Sequence, residues 1–357
     1  MHGIILAAGE GKRLRPITFS LPKPLIPLLG KPLLAYGIEQ LKRLGINEVS
    51  LVVGWLGFAF KERLGNEFLG VKIDYVTQEE RLGIAHAISL VIKERDLKED
   101  FIVYLGDNII DEEWVPKFKK LIEKEDYDSV IFLAKVPDPR RFGVAIIKDG
   151  KIVGFVEKPK EPPSQYALIG LYYFRDPEEY MKCFSTLKPS ARGEYEITDI
   201  INCYIKNNKK IGFVTIERWW KDAGKPKDLI EAMIILMDMY LKEPKILGEV
   251  KGEVIGNVYV EKGAIIEGKV YGPAYIGEGV VVGPDSVIEH YVDLERGSRV
   301  QGGSISRSLI LDEASLNLGV SRMIDSIIGM KSQVYVDPSL RTIIKMMAAQ
   351  ESSLELK

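Results

Sequence analysis

Short apolar runs alternate with amphipathic stretches along residues 1–245 of this 357-residue chain. Runs such as residues 4–8 and 101–105 predict strands that are buried on both faces. Between such runs apolar side chains recur at helical spacing, as at Leu34 and Ile38. This alternation predicts an α/β fold, with a Rossmann-like, mostly parallel sheet covered by helices.

After Pro244 the helical spacing disappears and small or aliphatic residues recur every six positions. The series is Val258, Ala264, Val270, Ile276, Val282, Ile288, Leu294 and Val300. It breaks at residues 301–303 and resumes in another phase at Ile310, Leu316, Ile328 and Val334. The period is typical of the hexapeptide repeat of a left-handed parallel β-helix, in which each coil stacks such residues inward. An irregular β-sandwich is the alternative, but it would not require a sixfold period.

The change of pattern predicts three parts. The α/β domain takes residues 1–245 and the left-handed β-helix takes residues 246–340. In the tail, at 341–357, the apolar spacing from Leu340 is compatible with a short helix. A hairpin is also expected around Asp149 and Gly150, a typical turn pair.

Charge, hydropathy and cysteine content limit the classes of partner that this chain can bind. The net charge of −2 provides no basic field for nucleic acid or for an anionic membrane surface. No apolar run reaches the ~20 residues of a membrane helix, and the first residues lack the pattern of a signal peptide. Cys183 and Cys203 lie in apolar or helical contexts without metal-ligand spacing, so we expect reduced core cysteines and a cytoplasmic protein.

The turn after the first strand carries the clearest chemical signal. Gly9 and Gly11 remove side chains from the bend, so backbone N–H groups can approach an anion. Arg13 follows at once and Lys23 lies a little further on. A bare loop followed by fixed cations suits a polyphosphate.

Three other interpretations of this turn compete with a polyphosphate site. A dinucleotide-binding fingerprint would need a third glycine at Leu14. A P-loop would need glycine at Leu6 and a hydroxyl residue at Arg13. A plain glycine turn with solvated cations stays open on these residues alone.

The pattern Leu-Ala-Ala-Gly-x-Gly-x-Arg-Leu-x-Pro at 6–16, followed by Pro-Lys-Pro at 22–24, resembles the sugar-1-phosphate nucleotidylyltransferases. Lys12 stands where this family often has a small hydroxyl residue. Further phrases narrow the resemblance to the long-form glucose-1-phosphate thymidylyltransferases, among them those at 104–108, 156–159 and 219–224. The resemblance identifies residues 1–245 as a nucleotidyltransferase domain. It implies that dTTP and glucose 1-phosphate give dTDP-glucose and pyrophosphate, with Mg²⁺ as cofactor.

The resemblance also assigns roles to individual residues. Arg13, Lys23 and Asp107 would be catalytic, and Asp107 with Asp222 would hold the metal. The residues expected at the nucleotide are Leu6, Gly9, Gly11, Gln78 and Gly83. Those expected at the sugar phosphate are Asn108, Gly143, Glu157, Lys158 and Leu168. A Gln amide, with one donor and one acceptor face, suits the edge of thymine or uracil.

Several alternatives stay open from the sequence. Pro24 stands where thymidylyltransferases often carry Gln, so UTP competes with dTTP as the donor. A β-helix also occurs in bifunctional acetyltransferases, for which His290 would be the candidate base, although a lone coil-surface histidine is the plainer interpretation. A non-catalytic nucleotide-sugar sensor would not need a metal pair. The flat faces of the coil favour a homo-oligomer.

Overall fold

The computed structural model describes residues 1–149 and 151–357. It divides into two compact units, and each is described by itself. The first consists of residues 1–10 and 34–222, and the second of residues 11–33 and 223–357. Residues 11–33 thus join the compact unit of the C-terminal half, whereas the apolar pattern groups them with the preceding strand.

A ten-stranded mixed sheet forms the centre of the first unit. His2–Leu6 lies at its middle and pairs in parallel with Glu48–Val53 and with Phe101–Leu105, as the buried apolar runs predict. The antiparallel half is built on Tyr166–Phe174. The strands of the sheet are His2–Leu6, Glu48–Val53, Glu67–Phe68, Val71–Thr77, Phe101–Leu105, Ser129–Lys135, Gly143–Lys148, Lys151–Glu157, Tyr166–Phe174 and Ile211–Ile216.

The predicted hairpin is present. Gly143–Lys148 pairs antiparallel with Lys151–Glu157. Of its expected turn pair, Asp149 has a positive φ of 49°, which suits a tight hairpin, and Gly150 lies outside the described residues.

Helices pack on the sheet through the apolar stripes that the sequence predicts. Ile38 and Leu41 are fully buried, as are Ile88 and Val91. The α-helices of the described residues are Leu33–Leu44, Gly57–Leu64, Ile84–Glu94, Trp114–Lys124, Pro177–Thr186, Ile197–Lys206 and Pro226–Tyr240. Within the described residues no helix is both long enough and apolar enough to cross a membrane.

The expectation of reduced cysteines is wrong for this structure. Cys183 and Cys203 lie on the helices Pro177–Thr186 and Ile197–Lys206 and form a disulfide with a Cα–Cα distance of 5.8 Å. Two helices that pack against each other bring these residues into bonding range, and a separation of 20 along the chain gives no sign of it.

Parallel coils of short strands build most of the second unit. Glu249 pairs with Ile265, Ile265 with Val281, and Val281 with Arg299, so one chain segment stacks on the next. All eight residues of the six-residue series are buried, from Val258 at 0% exposure to Val300 at 2%. These coils are those of a parallel β-helix, as predicted.

The interruption of the repeat also has a structural counterpart. The strand Arg299–Ser306 shows register shifts at Gln301, Gly302 and Ser304. The second series is buried again, with Ile310 and Ile328 at 0%. The β-helix strands are Lys245–Ile246, Glu249–Val250, Glu253–Ile255, Val258–Val260, Ile265–Ile266, Lys269–Tyr271, Ala274–Ile276, Val281–Val282, Val287–Ile288, Val292–Leu294, Arg299–Ser306, Ser308–Ile310, Ser315–Ile324, Ile327–Ile328 and Gln333–Val336.

The helical interpretation of the tail is wrong. Residues 341–357 contain the strands Ile343–Ile344, Met347–Ala348 and Ser353–Leu356, each parallel to a strand of the preceding coil. Ile344 and Ala348 are buried beneath it. The tail is one more coil, because pairing with an existing edge and burial of these side chains outweigh a weak helical spacing.

Candidate functional site

An antiparallel ribbon brings the two predicted metal residues together in the first unit. Asn108–Ile110 pairs with Trp220–Asp222, and in this register Asn108 lies opposite Asp222. Asp107 immediately precedes the ribbon and follows the buried strand Phe101–Leu105. Asp107 and Asp222 therefore line the same cleft at the carboxyl end of a central strand.

Asn108 ties this ribbon to its surroundings. Its side chain is 3% exposed, and its Oδ1 accepts a hydrogen bond from the indole N–H of Trp220 over 2.6 Å. Its Nδ2 donates to Oδ1 of Asp107 over 2.8 Å. The Trp220 ring packs edge-on against Phe142, with 5.1 Å between centroids. Asn108 thus positions the Asp107 carboxylate and is itself held by the half-buried indole of Trp220.

Gly170 is needed beside this network. A Cβ atom at Gly170 would lie 2.8 Å from Cγ of Asn108 and 2.8 Å from Cβ of Leu105. Real Cβ atoms do not approach other atoms so closely, so any larger residue would push Asn108 out of place. This steric role of Gly170 becomes visible only in the fold.

The cleft holds about 690 Å³ of empty space, part of it open to solvent, and carries charges of both signs. Its wall contains five residues predicted for the sugar phosphate: Asn108, Gly143, Glu157, Lys158 and Leu168. Sequence reasoning gave no role to other lining residues, among them Arg141, Phe142, Gly170, Tyr172, Arg192, Glu196 and Trp220. Arg192 follows the helix Pro177–Thr186 in an irregular stretch, where no periodic pattern marks it.

Glu157 is a carboxylate of the cleft that lies among three donor groups. Nη2 of Arg192 lies 3.3 Å from Oε1 of Glu157, and Nζ of Lys158 lies 3.4 Å from the same atom. The hydroxyl of Thr198 donates to Oε2 of Glu157 over 3.3 Å. Burial raises the pKa of Glu157, although the two neighbouring cations oppose the shift. A carboxylate fixed among donors can orient the hydroxyls of a sugar.

Arg192 is held from the other side by Glu196. One Nη2 atom lies 2.7 Å from both carboxylate oxygens of Glu196, which is only 9% exposed in its side chain. This contact aims a cation into the cleft near Lys158. Two cations in one wall suit a phosphate group better than a neutral ligand.

Gln78 and Gly83 form a separate cluster that does not line this cleft. The Gln78 side chain is buried and its Nε2 donates to the carbonyl of Gly83 over 3.2 Å. The same atom lies 3.2 Å from Nδ1 of His86, and burial lowers the pKa of that imidazole. Gly83 has a φ of 99° and a Cβ there would lie 2.6 Å from the carbonyl oxygen of Tyr195, so only glycine fits.

Leu6 and Gly9 lie at the end of the central strand and in the turn after it. The carbonyl of Leu6 accepts from the amide of Gly106 over 2.9 Å, which ties this turn to the strand that precedes Asp107. A Cβ at Gly9 would meet nothing within 4 Å. The protein itself therefore leaves space at Gly9, which is what close approach of a ligand would need.

Gly11, Arg13 and Lys23 belong to the second unit. Gly11 has a φ of 63° and precedes the short 3₁₀ helix Lys12–Leu14, and its carbonyl accepts from the hydroxyl of Thr18 over 2.9 Å. Arg13 is exposed, whereas Lys23 is only 6% exposed. The further 3₁₀ turns of this segment are Ile17–Phe19 and Lys23–Leu25.

His290 lies on the surface of the β-helix, as the plainer interpretation expects. It is exposed, and its Nδ1 contacts the carbonyl of Gly272 at 2.5 Å.

Comparison with known proteins agrees with this geometry. Residues 2–238 match the family model described as nucleotidyl transferase. This match covers most of the chain, so the chain belongs to the nucleotidyl transferase family and is a nucleotidylyltransferase.

Relatives over nearly the whole length make the likeness more particular. The chain is 35% identical over 348 residues to a glucose-1-phosphate thymidylyltransferase of Streptomyces griseus, covering 95% of each chain. It is 35% identical to the low-salt glycan biosynthesis nucleotidyltransferase Agl11 of Haloferax volcanii, covering 100% of both. The predicted resemblance to the long-form thymidylyltransferases is confirmed. The UTP–glucose-1-phosphate uridylyltransferase AglF of the same organism is 37% identical, over 65% of this chain and 95% of its own.

Solved structures share the fold of about two thirds of this chain. A Bacillus anthracis protein assigned as a glucose-1-phosphate thymidylyltransferase, solved with sucrose, superposes with a TM-score of 0.60 and 35% identity, covering 69% of this chain and 98% of its own. A UDP-glucose pyrophosphorylase solved with UDP-glucose gives a TM-score of 0.60 at 25% identity, covering 67% and 98%.

Proposed function

We propose that this protein transfers the thymidylyl group of dTTP to glucose 1-phosphate and releases pyrophosphate, with Mg²⁺ as its cofactor. The observation that carries the proposal is the ribbon that sets Asp222 opposite Asn108 and beside Asp107, in a cleft that also contains Lys158 and Arg192. A pair of carboxylates in the same cleft as two cations suits a reaction between two phosphate compounds.

The donor set fits magnesium. Within the described ranges no three His, Cys, Asp or Glu residues cluster as a metal cage. Magnesium is usually bound by one or two carboxylates together with substrate phosphates and water, so a pair such as Asp107 and Asp222 is sufficient. Bound there, the ion would neutralise phosphate charge and reduce the repulsion between the two substrates.

The chain's own residues would align the reactants. Lys158 and Arg192 would hold the phosphate of glucose 1-phosphate, and Glu157 would accept hydrogen bonds from the sugar hydroxyls. An oxygen of that phosphate forms a bond to the α-phosphorus as the bond to pyrophosphate breaks, so no covalent enzyme intermediate is required. The family resemblance assigns Arg13 and Lys23 to binding of the triphosphate. Their positive charge would stabilise the transition state there.

The side chain of Gln78 favours a pyrimidine base that carries a hydrogen on N3. Both donors of its amide are engaged, one by the carbonyl of Gly83 and one by Nδ1 of His86. Its carbonyl oxygen would therefore accept from the N3–H of the base rather than use both faces of the amide. Thymine and uracil share this group, so Gln78 favours them over cytosine without separating dTTP from UTP.

Asp222→Asn tests the carboxylate pair. We expect kcat to fall by about 10²–10³-fold, the range for removal of one electrostatic group at a developing charge, with dTTP binding largely kept. Asp149→Asn is the matched control, since Asp149 is an exposed turn residue whose positive φ of 49° suits asparagine. Turnover of Asp222→Asn at the wild-type rate, measured as pyrophosphate release, would disprove the metal assignment.

A panel of four nucleoside triphosphates tests whether dTTP or UTP is the preferred nucleotidyl donor. The panel is dTTP, dUTP, UTP and the ribonucleoside triphosphate of thymine, each with glucose 1-phosphate. It changes the 5-methyl group and the 2′-hydroxyl independently, so the ratios of kcat/KM assign the preference to one or the other. A uniform preference for the ribonucleotides would replace dTTP by UTP in the proposal. Galactose, mannose and N-acetylglucosamine 1-phosphates then define the sugar range.

We further propose that the protein forms a homo-oligomer. The first coil of the β-helix exposes Ile246 and Leu247 at 43% each and Ile255 at 48%, which supports association through that end. Light scattering of the purified protein tests this: a monomer at micromolar concentration would rule it out.

A further inference from the structure

A two-residue hairpin in the second unit takes an unusual backbone conformation. The strands Pro27–Leu28 and Lys31–Pro32 are joined by Leu29 and Gly30, with φ angles of 53° and 79°. Both angles lie in the left-handed region, as a type I′ turn requires. Leucine is rarely found there, so other contacts must hold it.

Two buried carboxyl groups of the β-helix hold this turn through hydrogen bonds. The amide N–H of Leu29 donates to Oδ2 of Asp293 over 2.8 Å, and that of Gly30 donates to Oε1 of Glu295 over 3.0 Å. Asp293 is 0% exposed and Glu295 is 2% exposed. A side chain at Gly30 would overlap the hydroxyl of Tyr275, so the turn fits this place on the coil only with glycine.

The hairpin directly follows the segment that carries the predicted phosphate-binding cations, Arg13 and Lys23. Lys23 begins the 3₁₀ turn Lys23–Leu25, which ends two residues before the hairpin strand. Gly11 is packed against the same segment, because a Cβ there would lie 3.3 Å from Cβ of Lys23 and 2.8 Å from Cγ2 of Thr18. Residues 11–33 and the β-helix belong to one compact unit.

We propose that Asp293 and Glu295 are positioning residues for nucleotidyl transfer: they hold the Leu29–Gly30 turn and thereby fix the segment that carries Arg13 and Lys23. This proposal rests on the proposed function, in which those two cations bind the triphosphate. The β-helix then has a role in catalysis that is separate from assembly.

The chemistry of Asp293 identifies the most informative variants. Burial raises its pKa to about 7, while the hydrogen bonds from the Leu29 amide and with Glu295 lower it and Asp312 raises it. Asn resembles the protonated carboxyl and keeps an oxygen that can accept from Leu29. Leu has a similar volume and no acceptor. The pair Asp293→Asn and Asp293→Leu therefore separates the hydrogen bond from packing.

Binding of dTTP with Mg²⁺ is measured by calorimetry in the full chain, and KM and kcat are measured with glucose 1-phosphate. We expect Asp293→Leu to weaken dTTP binding by about tenfold or more, the loss that corresponds to leaving the Leu29 N–H without its buried acceptor. The KM for glucose 1-phosphate should stay unchanged, and Asp293→Asn should restore most of the dTTP affinity. Hydrogen exchange at the Leu29 amide should accelerate in Asp293→Leu only.

Ser326→Ala is the control for a general loss of β-helix stability. Ser326 is fully buried and its hydroxyl donates to the carbonyl of Ile324 within the coil over 2.8 Å. Equal loss of dTTP affinity in Ser326→Ala and Asp293→Leu, or wild-type affinity in Asp293→Leu, would overturn the positioning role. If the wild-type protein binds no triphosphate, the proposed function itself fails, and the two failures are thus distinguishable.

Discussion

Replacement of Trp220 by Phe tests how strongly the ribbon supports the Asp107 carboxylate. The change removes the indole N–H that donates to Oδ1 of Asn108 over 2.6 Å, and it keeps an aromatic ring against Phe142. Asn108 is 3% exposed, so water does not readily replace the lost donor. Leaving a buried acceptor unpaired costs about 1–3 kcal/mol.

This free energy should appear in catalysis as well as in stability. The Nδ2 of Asn108 donates to Asp107, so a displaced Asn108 releases the carboxylate from its fixed position. If the full 1–3 kcal/mol is lost from the transition state, kcat falls by about 5- to 150-fold, since 1.36 kcal/mol corresponds to a factor of ten. The KM for dTTP should change little.

Pyrophosphate release gives kcat, and urea denaturation gives the free energy of unfolding. Trp219→Phe is the matched control, because Trp219 is the adjacent residue, precedes the ribbon strand and is not the donor to Asn108. Equal kcat for Trp220→Phe and the wild type, or an equal loss in Trp219→Phe, would refute the reasoning.

Two further predictions concern charge and covalent structure. Burial raises the pKa of Glu157, so its contribution to stability is present at acidic pH and declines as pH rises through the folded-state pKa. Glu157→Gln should therefore gain stability relative to wild type as pH rises. Urea denaturation at several pH values gives the free energy of unfolding of both proteins. If the two free energies change in parallel from about pH 4 to 8, the prediction is wrong. Cys203→Ser should lower the free energy of unfolding by about 3 kcal/mol, because the disulfide to Cys183 closes a separation of 20 residues. A reductant should have the same effect on wild type and none on the variant; no effect on wild type would show that the bond is absent.

Much of the fold follows from local patterns. The apolar run at 101–105 can satisfy its backbone and bury its side chains only as an inner strand, and the structure has it there. The six-residue period of Val258 to Val300 specifies a repeating coil, because every sixth residue must face the same apolar interior. Even the break at Gln301 is visible in the sequence.

Other features have no local cause. The tail forms a last coil because an edge is present to pair with, and the spacing of Ile343 and Ile344 alone does not show that edge. Cys183 and Cys203 bond because two helices pack together. Tertiary contacts between distant parts of the chain decide both.

The candidate site shows the same division. The motifs around Asp107 and Asp222 already indicate which residue types could do the chemistry. Folding of the chain places Asp222 opposite Asn108, Arg192 beside Glu157, and Asp293 at the turn of Leu29. A hydrogen bond or ion pair between residues far apart in sequence depends on how the intervening chain folds, and no local pattern encodes the distance between them.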